Sequence, residues 1–258
     1  MIVGMYSSAS GMLAEASRNE AISNNLANVS TTGFKRDTAL IRSHPTQLLH
    51  RLNDQLFSLG GHTADLAPVV GARGEGSIVD AVQPNWSQGT LMQTDNPTDV
   101  ALEGQGFLMV DTARGRRYTR AGNFALDGRG RLVTQSGDPV LTSTGTQIVV
   151  GRRRLEIAGD GGILLDGESA GRLGVVEPDD AAMMTKEGES LLAPVPGARF
   201  RASGTRVIQG QLERSNVNAV LEMVGMLEAL RSYEANQRAL IAQDETLNTL
   251  ITQLGKFA

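Results

Sequence analysis

The chain has 258 residues, enough for one sizeable domain with extensions, and its charge is near balance: 24 basic residues against 28 acidic, net −4. No basic excess points to nucleic acid or an anionic membrane, and aromatics at 4% with 30 glycines do not suggest a large aromatic-walled substrate pocket. There is no cysteine, so disulfides and thiolate metal sites are excluded; the composition suits a reduced cytosol and equally a chain exported unfolded. No cleavable secretory signal is visible in Met1 to Leu13, and no stretch approaches the roughly 18 apolar residues that a membrane span requires.

The first element is an amphipathic helix. Ile2, Met5, Ala9, Met12 and Ala16 recur at steps of three and four, and Ile22, Leu26 and Val29 resume the pattern after Asn19. Ser7 or Ser8 is its expected cap, and Ser30-Thr31-Thr32-Gly33 its end. Gly11 inside it costs about 1 kcal/mol relative to alanine, which makes the helix marginal alone. Residues 37–75 have weak periodicity and are expected to be a linker, with one helical turn from Gln47 to Phe57. From about residue 76 to 210, short apolar segments alternate with turn signals. Ala101-Leu102, Phe107 to Val110, Leu132-Val133, Ile148 to Val150, Ile163 to Leu165 and Leu173 to Val176 read as strands of an all-β sandwich or irregular barrel.

The C-terminal part, 211–258, is expected to be a second helix from Val217 to Leu254. Met226, Leu230, Tyr233, Gln237, Leu240, Asp244, Leu247, Ile251 and Leu254 follow one another by fours and threes, a heptad seam with two polar interruptions. Asn216 or Asn218 would cap its start, Glu222 would favour its positive end, and Gly255 would close it. All eight prolines lie between Pro45 and Pro196, which leaves both ends free to be helical. The expected class is therefore α+β: a central all-β domain with long N- and C-terminal helices that pack together as a coiled coil.

Candidate chemistry is sparse. His44, His50 and His62 sit in the expected linker without clustered carboxylates, and read as exposed polar residues rather than zinc ligands. Gly104-Gln105-Gly106-Phe107 lacks the third glycine and the lysine of a phosphate loop, so it reads as a tight turn into a strand. Asp127-Gly128-Arg129-Gly130 lacks the alternating ligands of a calcium loop and reads as a hairpin turn. Arg152-Arg153-Arg154 reads as a solvated turn or strand end. Asp95, Asp99 and Glu103 are the one set that could serve glycan cleavage, which needs two carboxylates about a single bond. No catalytic, cofactor or metal site is expected, and no small-molecule substrate.

The most distinctive stretch is Ile22-Ser23-Asn24-Asn25-Leu26-Ala27-Asn28-Val29-Ser30-Thr31-Thr32-Gly33-Phe34-Lys35. It resembles the N-terminal signature of the bacterial flagellar axial proteins, the rod and hook family. Gln88-Gly89-Thr90-Leu91, Thr94 to Leu102 and Gly104 to Phe107 look like the opening of that family's central β domain. Tyr118 to Phe124, with Asp127, Gly130 and Leu132-Val133-Thr134, continues it. Ser215-Asn216-Val217-Asn218, Glu222-Met223-Val224 and Arg231 to Asn236 are similar to the family's C-terminal helix. The opening Met5 to Met12 looks more like the hook-basal-body proteins of Gram-positive bacteria, and Thr98 stands where the family often has leucine.

The resemblance implies a structural subunit of the basal-body rod, proximal or distal, and not an enzyme. Its implied partners are copies of itself, other rod and hook axial proteins and the flagellar export apparatus, and its implied place is the flagellum basal body. Terminal helices of neighbouring subunits would form a tube around an export channel, with Met5, Met12, Ile22, Asn24, Asn25, Leu26, Asn28, Met226, Leu230, Tyr233, Leu240, Leu247, Ile251 and Leu254 at the contacts. A hook-type axial subunit and a non-flagellar coiled-coil fibre stay open as alternatives, and a glycan-active protein more remotely.

Overall fold

The computed structural model describes residues 2–50, 58–59, 62–63, 69–74, 76–188 and 190–254. It is an α+β fold with a mostly β middle and one long helix at each end, α1 over Ile2–Ala27 and α2 over Ala219–Leu254. Two compact units divide the chain. One comprises 1–23, 38–83 and 223–258; the other comprises 24–37 and 84–222. Among the described residues no helix is long and apolar enough to cross a membrane.

The second unit holds the main core. Its largest sheet has six strands, each antiparallel to its neighbour, in the spatial order Met184–Glu187, Leu191–Pro194, Gly115–Thr119, Phe107–Thr112, Val175–Pro178 and Phe200–Ala202. Within Phe107–Thr112 the first four residues, Phe107 to Val110, are buried on both faces. By the period-two alternation of a strand, Leu108 and Val110 enter one apolar cluster while Phe107 and Met109 enter another. That double burial is why these positions form an uninterrupted apolar run instead of an alternating one. The larger cluster adds Val100, Leu102, Leu132, Val140, Ile148 and Val150, with Ile163, Leu165 and Leu173. The smaller contains Tyr118, stacked on Phe200, and Trp86 edge-on to Phe107 at 5.5 Å.

Two turns behave as the residues dictate. Asp127 accepts hydrogen bonds from the backbone N–H groups of Arg129 and Arg131, tightening the hairpin between Ala125–Leu126 and Leu132–Val133. Those bonds, with the Arg131 guanidinium, hold its carboxyl below the ordinary range. Gly104 has a positive φ of 123°, placing the turn that feeds Phe107–Thr112. Arg152, Arg153 and Arg154 lie in an exposed turn, where Arg154 pairs with Glu156 at 3.1 Å.

In the first unit the segment expected as a linker carries strands. Asp37–Ser43 pairs with Ser77–Pro84, and Gln47–His50 runs antiparallel to Val69–Arg73. The helical turn expected from Gln47 is thus replaced by a strand over its first four residues; 51–57 lie outside the described residues. The physical signal was the β-branched pair Val69-Val70, a pairing partner too distant in sequence to weigh against local helix preference.

The expected cap of α1 is also corrected. Ser7 and Ser8 lie inside the helix, which already runs from Ile2, and Ser8 is buried. The helix ends at Ala27, a turn before the expected Ser30. For α2 the structure chooses between the two candidate caps. Asn218 Oδ1 accepts from the N–H groups of Val220 and Leu221, whereas Asn216 is committed elsewhere.

Candidate functional site

The segment around Asn24 to Asp37 gathers most of the buried polar groups of its unit. Asn25 is fully buried, and its carboxamide pairs with the backbone of Asp37 as a strand neighbour would. Asp37 N–H donates to Asn25 Oδ1 at 2.7 Å, and Asn25 Nδ2 donates to the Asp37 carbonyl at 2.8 Å. The same Nδ2 reaches Glu222 Oε2 at 3.1 Å, and Arg36 Nε donates to the other oxygen of that carboxylate. Glu222 therefore does more than favour the positive end of α2. It ties the first turn of α2 to the residues that follow α1. Asn216 completes the arrangement by accepting from Arg36 N–H and donating to the carbonyls of Asn85 and Ser87.

A second cluster lies nearby in sequence. Lys35 Nζ meets Glu213 Oε1 at 2.6 Å, and Arg120 Nη1 meets Glu213 Oε2 at 3.1 Å, all three side chains at most 4% exposed. Burial pulls both cations below their ordinary pKa values, while the Glu213 charge opposes the shift. Lys186 pairs with Asp37 at 2.8 Å and sits 4.0 Å above the Phe34 ring; burial lowers its pKa as well. Gly33 makes the turn possible. Its φ is +69°, and a Cβ there would stand 2.4 Å from the Arg120 carbonyl carbon. The sequence marked Lys35 and Gly33 within the motif, but nothing in spacing alone joins Lys35 to Arg120 and Glu213, 85 and 178 positions away.

The helices meet within the first unit. Gln243 stands over Gly4, Asn236 over Gly11, Ser232 Oγ donates to Glu15 Oε1 at 3.1 Å, Arg18 lies 3.6 Å from Glu228, and Ile22 touches Gly225. Residue numbers rise on one helix as they fall on the other, so the two run antiparallel. The contact face of α2 is small and polar: Gly225, Ala229, Ser232, Asn236 and Gln243. The glycines of α1 are contact surfaces as much as weak points, since a Cβ at Gly4 would come within 2.7 Å of Gln243 Oε1.

The expected heptad seam lies to the side of this contact. Met226, Tyr233, Leu240 and Leu247 are half-buried, whereas Leu230 and Ile251 are exposed; of Leu254 only the backbone is described. On α2 the large exposed apolar residues Val220, Met223, Val224, Leu227, Leu230 and Ile241 fall along one stripe at 100° per residue, on the face opposite α1. On α1, Tyr6 and Leu13, both 71% exposed, repeat at seven residues. Of the other N-terminal positions singled out, Met5, Met12 and Leu26 are half-buried and Ile22 is buried. Asn24 is exposed and hydrogen-bonded to Asn28.

The three acidic residues weighed for glycan chemistry are dispersed. Asp95 occupies a positive-φ turn, buried Asp99 accepts from Asn96, and exposed Glu103 lies 3.6 Å from Arg206. Asp99 and Glu103 bracket the strand Val100–Glu103, about 13 Å apart along it, beyond the span of a glycosidase pair.

Three family models match in chain order. A model described as flagella basal body rod protein matches 5–35, flagellar hook protein FlgE/F/G D1 domain matches 101–165, and flagellar basal body rod FlgEFG protein C-terminal matches 208–254. The flagellar hook-basal body complex protein FlhO of Bacillus subtilis is 30% identical, across 99% of this chain and 100% of its own. The basal-body rod protein FlgF of Caulobacter vibrioides is 32% identical across 92% and 91%, and FlgG of Buchnera aphidicola subsp. Schizaphis graminum is 32% identical across 97% and 99%. Helices at both ends, a β middle and this coverage define an axial protein of the flagellum, and the chain belongs to the flagellar basal-body rod protein family. It is a structural subunit of the basal-body rod and not an enzyme.

Proposed function

We propose that this subunit joins the rod through the outward faces of α1 and α2, packing against copies of itself and other rod or hook axial proteins as a coiled coil around the export channel. The exposed apolar stripe carries the reading. A helix that spends its small and polar face on its own partner, and leaves Val220, Val224, Leu227 and Leu230 in water, has an apolar face to bury elsewhere. Residues 1–36 and 211–258 act as the axial segments, 76–210 as the β domain, and the flagellar export apparatus delivers the chain. Met5, Met12, Leu26, Met226, Tyr233, Leu240, Leu247 and Ile251 flank the contact, Asn24 and Asn28 lie at the end of α1, and Ile22 and Asn25 support it from within. Heterologous contacts of this kind build open helical arrays.

Leu227→Asp tests the proposal. Leu227 is 57% exposed, so the charge leaves the monomer folded and enters only the subunit contact. The expected result is an unchanged circular dichroism spectrum and melting temperature with loss of the protein from purified basal bodies and loss of motility. Normal incorporation of the variant would refute the assignment of this face.

A further inference from the structure

The contacts between α1 and α2 keep one alignment from end to end. Gly4 lies under Gln243 and Gly11 under Asn236, seven residues on along α1 and seven back along α2. Four more residues on each helix bring Glu15 to Ser232, and seven more bring Ile22 to Gly225. Three more bring Asn25 to Glu222, whose side chains are hydrogen-bonded at 3.1 Å. The five pairs therefore belong to a single antiparallel register.

Four of these pairs do little to choose it. Helices are aligned by large side chains that enter holes on the partner. Here the pairs are a glycine beneath an amide, twice, a carboxylate beside a serine, and an isoleucine against a glycine. The pattern also comes close to repeating. A slide of seven residues sets Gly4 under Asn236 in one direction, or Gly11 under Gln243 in the other, so a glycine again meets an amide. Glu15 then meets another small residue, Gly225 or Ala239.

Asn25 and Glu222 have no such substitute. They are 0% and 2% exposed, and each is also held from its own side, Asn25 by both backbone groups of Asp37 and Glu222 by Arg36. A slide parts the carboxamide from the carboxylate and strips a buried acid of one of its donors, a heavy cost where water is excluded. We infer that Asn25 and Glu222 are the register pin of the helix pair, positioning residues that select one alignment among those the remaining face tolerates. A buried polar contact suits this task because it is lost abruptly on displacement, whereas small and apolar contacts survive sliding. The pin thereby decides which residues of α1 stand level with Val220, Val224 and Leu227 of the outward stripe. This alignment is a property of the single subunit, whatever covers the stripe.

The chain has no cysteine, so pairs of introduced cysteines report the alignment without background. Gly11→Cys combined with Asn236→Cys reads the observed register. Gly11→Cys with Gln243→Cys, and Gly11→Cys with Ala229→Cys, read the two slides, since a disulfide forms only where Cα atoms come within about 7 Å. In the full-length monomer under mild oxidation, the first pair should close at least about tenfold faster than the other two. Adding Asn25→Ala or Glu222→Gln should cut that preference to about threefold or less, whereas Asn24→Ala, at the exposed neighbour, should leave it unchanged. Glu222→Gln preserves the shape of the side chain, and the fluorescence of Trp86, the single tryptophan, shows that the β core stays folded. A merely structural role would lower stability in both variants and leave the preference intact. That result would overturn the proposal and assign the alignment to the attachment of the helices to the sheet. Equal closure of all three pairs with Asn25 and Glu222 in place would overturn it too, because no register would then be selected.

Discussion

Asn24 and Asn25 are adjacent in the sequence and opposite in role. The first lies in water and bonds to Asn28, while the second is sealed between Asp37 and Glu222. Replacing Asn25 by alanine leaves Asp37 N–H without its acceptor and removes a donor from the Glu222 carboxylate. The expected cost is about 2–4 kcal/mol, against less than about 0.5 kcal/mol for Asn24→Ala. Urea denaturation of the two variants measures the difference, and equal midpoints would contradict the assignment. The motif showed three asparagines but not which of them turns inward, because that depends on Asp37 twelve residues on and Glu222 nearly two hundred. Glu187 offers a pH-dependent counterpart. Its hydrogen bond to Arg117, with Arg114 close by, holds its carboxyl below the ordinary value of 4.5. A carboxylate depressed in the folded state stabilises the fold above its unfolded pKa, and loses that contribution as pH falls from about 4.5 through the folded value. Glu187→Gln should therefore flatten the acid limb of a stability profile between about pH 5 and 2, with little further change between pH 6 and 8.

At the scale of elements, the two helices and the strand Phe107–Thr112 show what can be read without a structure. The strand is visible because burial on both faces writes an unbroken apolar run. The helices are visible through their three-and-four spacing, but their mutual face is not. The most apolar stripe is the natural choice for an internal contact, yet the structure puts glycine, alanine, serine and amides there and turns large side chains outward. Such a contact releases little apolar area, so its free energy is small compared with that of the β core. In the purified monomer, amide hydrogens of 2–22 and 226–254 should therefore exchange fast, while those of Leu108, Val110, Leu132 and Val150 exchange near the global unfolding limit. Mass-spectrometric exchange at peptide resolution distinguishes them. Slow exchange through both helices would show the pair to be stable alone.

For the whole molecule, the class was legible: helices at both ends of a β middle, with no constellation of catalytic residues in the sequence. Strand pairing in 37–84 was not, since partners such as Gln47 and Arg73 lie far apart and local composition is ambiguous. The polar clusters escaped for the same reason. Lys35, Arg120 and Glu213 come from three widely separated segments, and only the fold brings their charges to one place.

The antiparallel contact of α1 with α2 joins the first two dozen residues to the last three dozen, across the whole length between them. A chain entering folding from either end therefore cannot complete this pair until its opposite end is free. The β strands can form first, because their partners lie between. A truncated or still-emerging subunit lacks one half of the helical pair and has no finished surface to offer. The face that each helix offers to its mate is thus left unpaired in any subunit from which the other is missing.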